Sequence, residues 1–140
     1  MTTAIDTNVL VALWNEDETL NTQARSALDA ALGRGSLVIA APVFAELLAA
    51  PSRNEGFLDS FCRETGISID WNLEAAVWRA AGRAFRAYVG RRKAQRGAGA
   101  RRILADFLIG AHALQNGFRL LTLDEGLYRA AFPRLVIVSV

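Results

Sequence analysis

Five short runs dominated by aliphatic and β-branched residues recur along the chain, with helical periodicity between them. No other feature constrains the fold as much. The runs are TTAI at residues 2–5, LVIA at Leu37–Ala40, ISI at Ile67–Ile69, RLLT at Arg119–Thr122 and LVIVSV at Leu135–Val140. A strand that faces water on one side alternates apolar and polar residues, whereas one covered on both faces reads as nearly continuous apolar. Strands of the second kind alternating with helices predict an α/β layered fold with a mainly parallel central sheet.

The intervening helices carry start and stop signals. Thr7 or Asn8 is placed to cap a helix over Val9–Trp14, and Pro42 suits the first turn of the helix carrying Glu46. A further helix is expected from about Asn21 to Leu32, ending near Gly33. Ser52 and Asn54 are candidate caps for a helix over Gly56–Thr65. Leu73, Val77, Ala80, Ala84 and Tyr88 recur at helical spacing, with Arg79, Arg83 and Arg86 on another face. The glycine- and arginine-rich stretch GRRKAQRGAGARR then reads as a mobile loop, followed by a helix over about Ile103–Gln115 that stops near Asn116-Gly117.

No internal repeat or Ser/Pro linker interrupts the pattern, so residues 1–140 read as a single domain. With 52% hydrophobic and 21% charged residues, the chain can build a full core, which excludes an intrinsically disordered protein. Cys62 is the only cysteine, which excludes an internal disulfide and suits a reducing compartment. It reads as a small helix residue. The N-terminus lacks a basic segment, and Asp6 breaks any apolar stretch there. The longest uncharged run, Phe107–Phe118, falls well short of the roughly 20 residues a membrane helix needs. The expectation is a cytoplasmic protein with no membrane partner.

Four carboxylates stand in apolar or small-residue surroundings: Asp6 after TTAI, Glu46 in APVFAELLAA, Asp106 in ILADFLIGAHA and Asp124 after RLLTL. An unpaired buried carboxylate costs several kcal/mol of solvation, so a set of them requires an account. Singly, each has an ordinary reading, an aspartate after a strand as a turn or cap residue and a helical glutamate as a solvated one. Their positions argue otherwise. Asp6 and Asp124 fall at the C-terminal ends of expected strands, where open parallel sheets form their ligand crevices. Asp106 and Glu46 have mostly apolar or small neighbours at helical spacing, which turns both toward the interior or a cleft. Converging acids imply a divalent cation or shared protons. Mg²⁺ or Mn²⁺ suits such hard oxygen ligands, whereas one cysteine and one histidine cannot supply the set zinc prefers.

Net charge is only +2, yet no acid occurs from Ala75 to Ala105, a stretch rich in arginine. This asymmetry suits a polyanion. Arg79, Arg83 and Arg86 read as a solvated helix stripe, while Arg91, Arg92, Lys93, Arg96, Arg101 and Arg102 are the candidate RNA-backbone contacts. His112, six residues beyond Asp106, lies about 240° around a helix from it and reads as a core or surface histidine. Trp14, Trp71 and Trp78 read as packing residues.

IDTNVL, the Glu46 of FAELL, the Asp106 of ADFLIGAHA and TLDEGLY, in that order and at that spacing, resemble a PIN-domain protein. The likeness covers essentially the whole chain and is strongest to VapC-type toxins of toxin–antitoxin pairs. It implies a three-layer α/β/α sandwich and an Mg²⁺- or Mn²⁺-dependent endoribonuclease that leaves a 5′-phosphate and a 3′-hydroxyl. Asp6, Glu46, Asp106 and Asp124 then match the family's acidic quartet, and Asn8 and Thr122 match supporting polar positions. Glu125 adjoins Asp124, so either could be the fourth acid. The resemblance also implies a homodimer and a cognate antitoxin whose C-terminal segment packs on apolar helix surface, for which Phe44–Ala50 and Phe57–Phe61 are candidates. Two alternatives fit the same fold: a PIN nuclease of RNA processing with no toxin role, and a catalytically silent RNA-binding module.

Overall fold

A computed structural model describes residues 1–95 and 102–140. In chain order the elements are β1 (Thr2–Ile5), α1 (Thr7–Leu13), α2 (Glu18–Arg34), β2 (Ser36–Ala40), α3 (Ala41–Leu47), α4 (Glu55–Thr65) and β3 (Ser68–Asp70). They continue with α5 (Ala75–Ala94), α6 (Leu104–Gln115), β4 (Arg119–Thr122), α7 (Glu125–Ala131) and β5 (Ile137–Ser139). The strands form one sheet in the order β3-β2-β1-β4-β5, and all four pairings are parallel. Helices cover both faces in a three-layer α/β/α sandwich. Ala4, Ile5, Val38, Ile39, Leu120 and Leu121 are buried at its centre, as continuous apolar strands require.

The strand order positions the site. From β1 the chain moves outward through β2 to β3, then crosses back to place β4 on the other side of β1 and β5 beyond it. The loops leaving β1 and β4 therefore diverge, and a crevice opens at the C-terminal ends of those two central strands. Asp6 follows β1 directly, and Asp124 follows β4 after one intervening residue.

Several local expectations change. Asp6, rather than Thr7 or Asn8, caps α1. The second helix starts at Glu18, three residues earlier than expected, because the Asp17 side chain accepts from Leu20 N–H. It ends at Arg34 before Gly35, whose φ of 154° lets the backbone pass against Met1. Asn54 caps α4 by accepting from Phe57 N–H at 2.8 Å; Ser52 does not cap it and has a φ of 61°. Arg91, Arg92 and Lys93 lie on the last turn of α5 and not in a loop, while Arg96 and Arg101 fall outside the described residues. Trp14 packs edge-on against Phe57 and Phe61, as expected of a packing residue. Trp71 is 58% exposed yet packs edge-on against Phe44, whereas Trp78 is 51% exposed and does not fit the expectation. Cys62 is buried on α4. No helix among the described residues is long and apolar enough to cross a membrane.

Candidate active site

Asp6 is the most firmly held of the four acids. Its Oδ1 accepts from the Thr7 N–H at 2.8 Å as the cap of α1, and its Oδ2 accepts from the Thr122 hydroxyl at 2.8 Å. The Thr122 oxygen in turn accepts from the Asp124 N–H at 2.9 Å, so one hydroxyl ties the end of β1 to the turn after β4. Asn8 makes a second tie, its Oδ1 accepting from the Leu123 N–H at 3.1 Å. Asp6 is only 4% exposed. Burial lifts its pKa to about 6, against the pull of its hydrogen bonds and with a further push from the Asp106 charge.

Glu46 and Asp106 are half-buried and approach from two helices that pack together, α3 and α6. The Thr7 hydroxyl donates to Glu46 Oε1 at 2.6 Å. Burial raises the pKa of both acids, and like charge adds to it, from Asp106 on Glu46 and from Asp124 on Asp106. The backbone N–H of Ile103 and the nearby Arg102 oppose the rise at Asp106. Asp124 stands at the N-cap position of α7, where its side chain makes no capping hydrogen bond and pairs with Arg102 at 2.5 Å. Glu125 turns elsewhere, to Arg129 at 2.7 Å and toward Ser139, and those contacts depress its pKa. Of the two adjacent acids, Asp124 is the one in electrostatic contact with Asp106.

Under this cluster lies Tyr128, fully buried on α7, whose hydroxyl has no hydrogen bond of ordinary geometry. Burial and the charges of Asp6, Asp106 and Asp124 hold its proton firmly on the ring. Gly110 on α6 makes this packing feasible, since a Cβ there would lie 2.4 Å from the Phe132 ring and 3.0 Å from Tyr128. Neither Tyr128 nor Thr7 was legible as a site residue. Thr7 adjoins Asp6 in IDTN, but its partner Glu46 is 39 positions away. Tyr128 ends the TLDEGLY run, but nothing in that run shows that its side chain turns under the acids.

The donors are all oxygens, which suits a hard divalent cation. Among the described residues no three acids, histidines or cysteines stand close enough to hold one ion together. Mg²⁺ binds directly through one or two carboxylates and reaches further oxygens through the waters it keeps. His112 stays outside the cluster. It is fully buried, with Nε2 2.9 Å from Asp70 Oδ2.

A family model described as the PIN domain matches residues 3–133. The chain belongs to the PIN-domain family. Solved structures agree in fold. VapBC2 from Rickettsia felis, bound to a DNA fragment from its promoter, is 21% identical over 99% of this chain and 98% of that one, with a TM-score of 0.70. VapBC-1 from nontypeable Haemophilus influenzae is 18% identical, with the same coverage and a TM-score of 0.67. FitAcB from Neisseria gonorrhoeae is 20% identical over 96% and 95% of the two chains, with a TM-score of 0.62. No curated protein sequence matches the chain.

Proposed function

We propose that this PIN domain is a metal-dependent endoribonuclease acting as the toxin of a toxin–antitoxin pair, with Mg²⁺ or Mn²⁺ as cofactor. One observation carries the reading. Asp6, Glu46 and Asp106 converge at the C-terminal end of the sheet, each with its proton affinity raised by burial, and Asp106 raises that of the other two. A folded protein gains nothing by holding like charges in a half-dry crevice unless a cation compensates them. The solved toxin–antitoxin structures of the same fold support the toxin role.

In this reading Asp6, Glu46 and Asp106 hold one or two cations, directly or through their waters, and Asp124 is either a ligand or the base that orients the attacking water. A bound divalent cation supplies neutralisation of a phosphate oxygen and acidification of a water for in-line attack. The chain supplies positioning. Thr7 N–H and Thr122 fix both oxygens of Asp6, the Thr7 hydroxyl fixes Glu46, and Asn8 holds the turn that presents Asp124. Water adds to the phosphodiester, the ribose 3′-oxygen leaves and takes up a proton, and a 5′-phosphate remains. No covalent enzyme intermediate is needed.

Arg91, Arg92 and Lys93 on the last turn of α5 are proposed to hold the RNA backbone through charge. An antitoxin segment would cover apolar helix surface at the exposed Leu48 on one candidate stretch or at Phe57, beside Trp14, on the other, and the protein would act as a homodimer. Induced expression of wild type and Asp6→Asn, with mapping of new RNA 5′ ends, tests the reading. Growth arrest and discrete new ends in wild type alone are expected. New ends without arrest would indicate an RNA-processing nuclease, and RNA binding without any new ends a silent binding module.

A further inference from the structure

Arg102 turns into the acidic crevice instead of away from it. Its backbone N–H donates to the Tyr88 hydroxyl on α5 at 2.6 Å, which anchors the residue just before α6 begins. Its guanidinium reaches both carboxylate oxygens of Asp124, Nη1 to Oδ2 at 2.5 Å and Nη2 to Oδ1 at 3.5 Å. Both side chains are 30% exposed, so the pair sits at the lip of the crevice, neither sealed in the core nor loose on the surface. Arg102 also lies close enough to Asp106 to counter the push of its acidic neighbours. A planar guanidinium facing both oxygens of a carboxylate takes two of its roughly four lone-pair sites, and its positive charge opposes the approach of a metal ion to the others.

We propose that Arg102 is a positioning residue that serves as the site's own counter-cation: it holds Asp124 in the crevice, and a divalent cation must displace it before Asp124 can act as a ligand. The inference rests on the reading that these acids take a divalent cation, and it adds a competitor from within the chain. Arg102 is thereby assigned to the metal equilibrium, where the sequence places it only among the basic residues that contact RNA. Once displaced, the guanidinium stays at the rim, on the side from which a phosphate would enter.

The test is Mn²⁺ titration by calorimetry, without RNA and at low salt, of wild type, Arg102→Gln, Arg102→Lys and the same Arg102→Gln change in an Asp124→Asn background. Arg102→Gln should bind Mn²⁺ about two- to fivefold more tightly than wild type, the range expected for releasing a partly exposed ion pair. Arg102→Lys, which keeps the charge but loses the planar fork, should fall between them. In the Asp124→Asn background the gain should shrink, since there is no carboxylate left to free. If wild type binds Mn²⁺ and both Arg102 variants match it or bind more weakly, the counter-cation role is overturned while the metal site stands. If no protein in the series binds Mn²⁺, both fall together. Arg102→Lys carries the comparison on its own should Arg102→Gln fail to fold.

Discussion

Two buried polar residues, Asp6 and His112, show opposite solutions to the same problem. His112 is fully buried in α6 yet faces the Asp70 carboxylate at 2.9 Å, a partner of opposite tendency supplied by the neighbouring strand β3. Asp6 is nearly as buried, but its charged neighbour is another acid, Asp106, and its remaining contacts are neutral donors. The first pair meets its charge partner within the chain, although His112 Nδ1 is buried without a hydrogen bond. The second leaves negative charge that Arg102 offsets only in part, and it does so where the sheet opens a crevice. The difference separates a polar group that serves the fold from one the fold carries at a cost.

Replacing each residue should break the symmetry most visibly. Asp6→Asn is expected to reduce RNA cleavage by roughly a hundredfold or more, since it removes a ligand at the centre of the site. The same change should raise the melting temperature at neutral pH in EDTA, because it removes a charge the fold disfavours. A variant that loses stability and keeps its activity would reverse the comparison. His112→Ala should do the opposite. Opening a cavity in α6 and losing the contact to Asp70 should cost about 2–4 kcal/mol, read from chemical denaturation, with cleavage per folded molecule little changed.

The acid–base linkage of Asp6 has a definite sign. Its folded pKa is raised to about 6 from 3.8, so the folded state binds a proton more tightly than the unfolded state does. The stabilisation from that proton is full below pH about 4 and is lost as pH rises through 6. A shift of this size corresponds to roughly 3 kcal/mol. In EDTA, stability should therefore fall between pH 4.5 and 7.5, and less steeply in Asp6→Asn. Saturating Mg²⁺ or Mn²⁺ should recover more stability at pH 7.5 than at pH 5. Equal recovery at both values would mean that the ion does not meet these carboxylates.

The two polar solutions were unequally legible in the sequence. Acids isolated among apolar residues announce themselves, and strands covered on both faces read directly, so TTAI and RLLT coincide with β1 and β4 residue for residue. What resisted reading depends on partners distant in sequence. Asp70 and His112 are 42 positions apart, and Arg102 and Asp124 are 22 apart. The extent of α5 was missed for a local reason. Gly90 and a run of cations suggest a loop, yet Arg, Lys and Ala are strong helix formers, and the exposed glycine costs the helix only about 1 kcal/mol. Trp78 was misjudged because hydrophobic character predicts burial in one direction only.

The finest distinction concerns Thr7, which belongs to the site by geometry although it is neither acidic nor fully buried. Its hydroxyl donates to Glu46 at 2.6 Å and lowers a proton affinity that burial has raised. In Thr7→Val the shape persists while that hydrogen bond is lost, so Glu46 should hold its proton to a higher pH. The acidic limb of the cleavage profile should move to higher pH, and the rate at neutral pH should fall by a few-fold, in keeping with the loss of about 1 kcal/mol from one hydrogen bond to a charged group. The Asp6 hydrogen bond to the Thr7 backbone does not involve the side chain and should survive the change. Stability in EDTA should fall at neutral pH, where the ionised Glu46 has lost its donor, and hardly move at acid pH, where Glu46 is protonated with or without the hydroxyl. A profile that keeps its acidic limb in Thr7→Val would place Glu46 outside the groups whose ionisation controls the reaction, and would leave Asp6 and Asp106 to carry the contrast with His112.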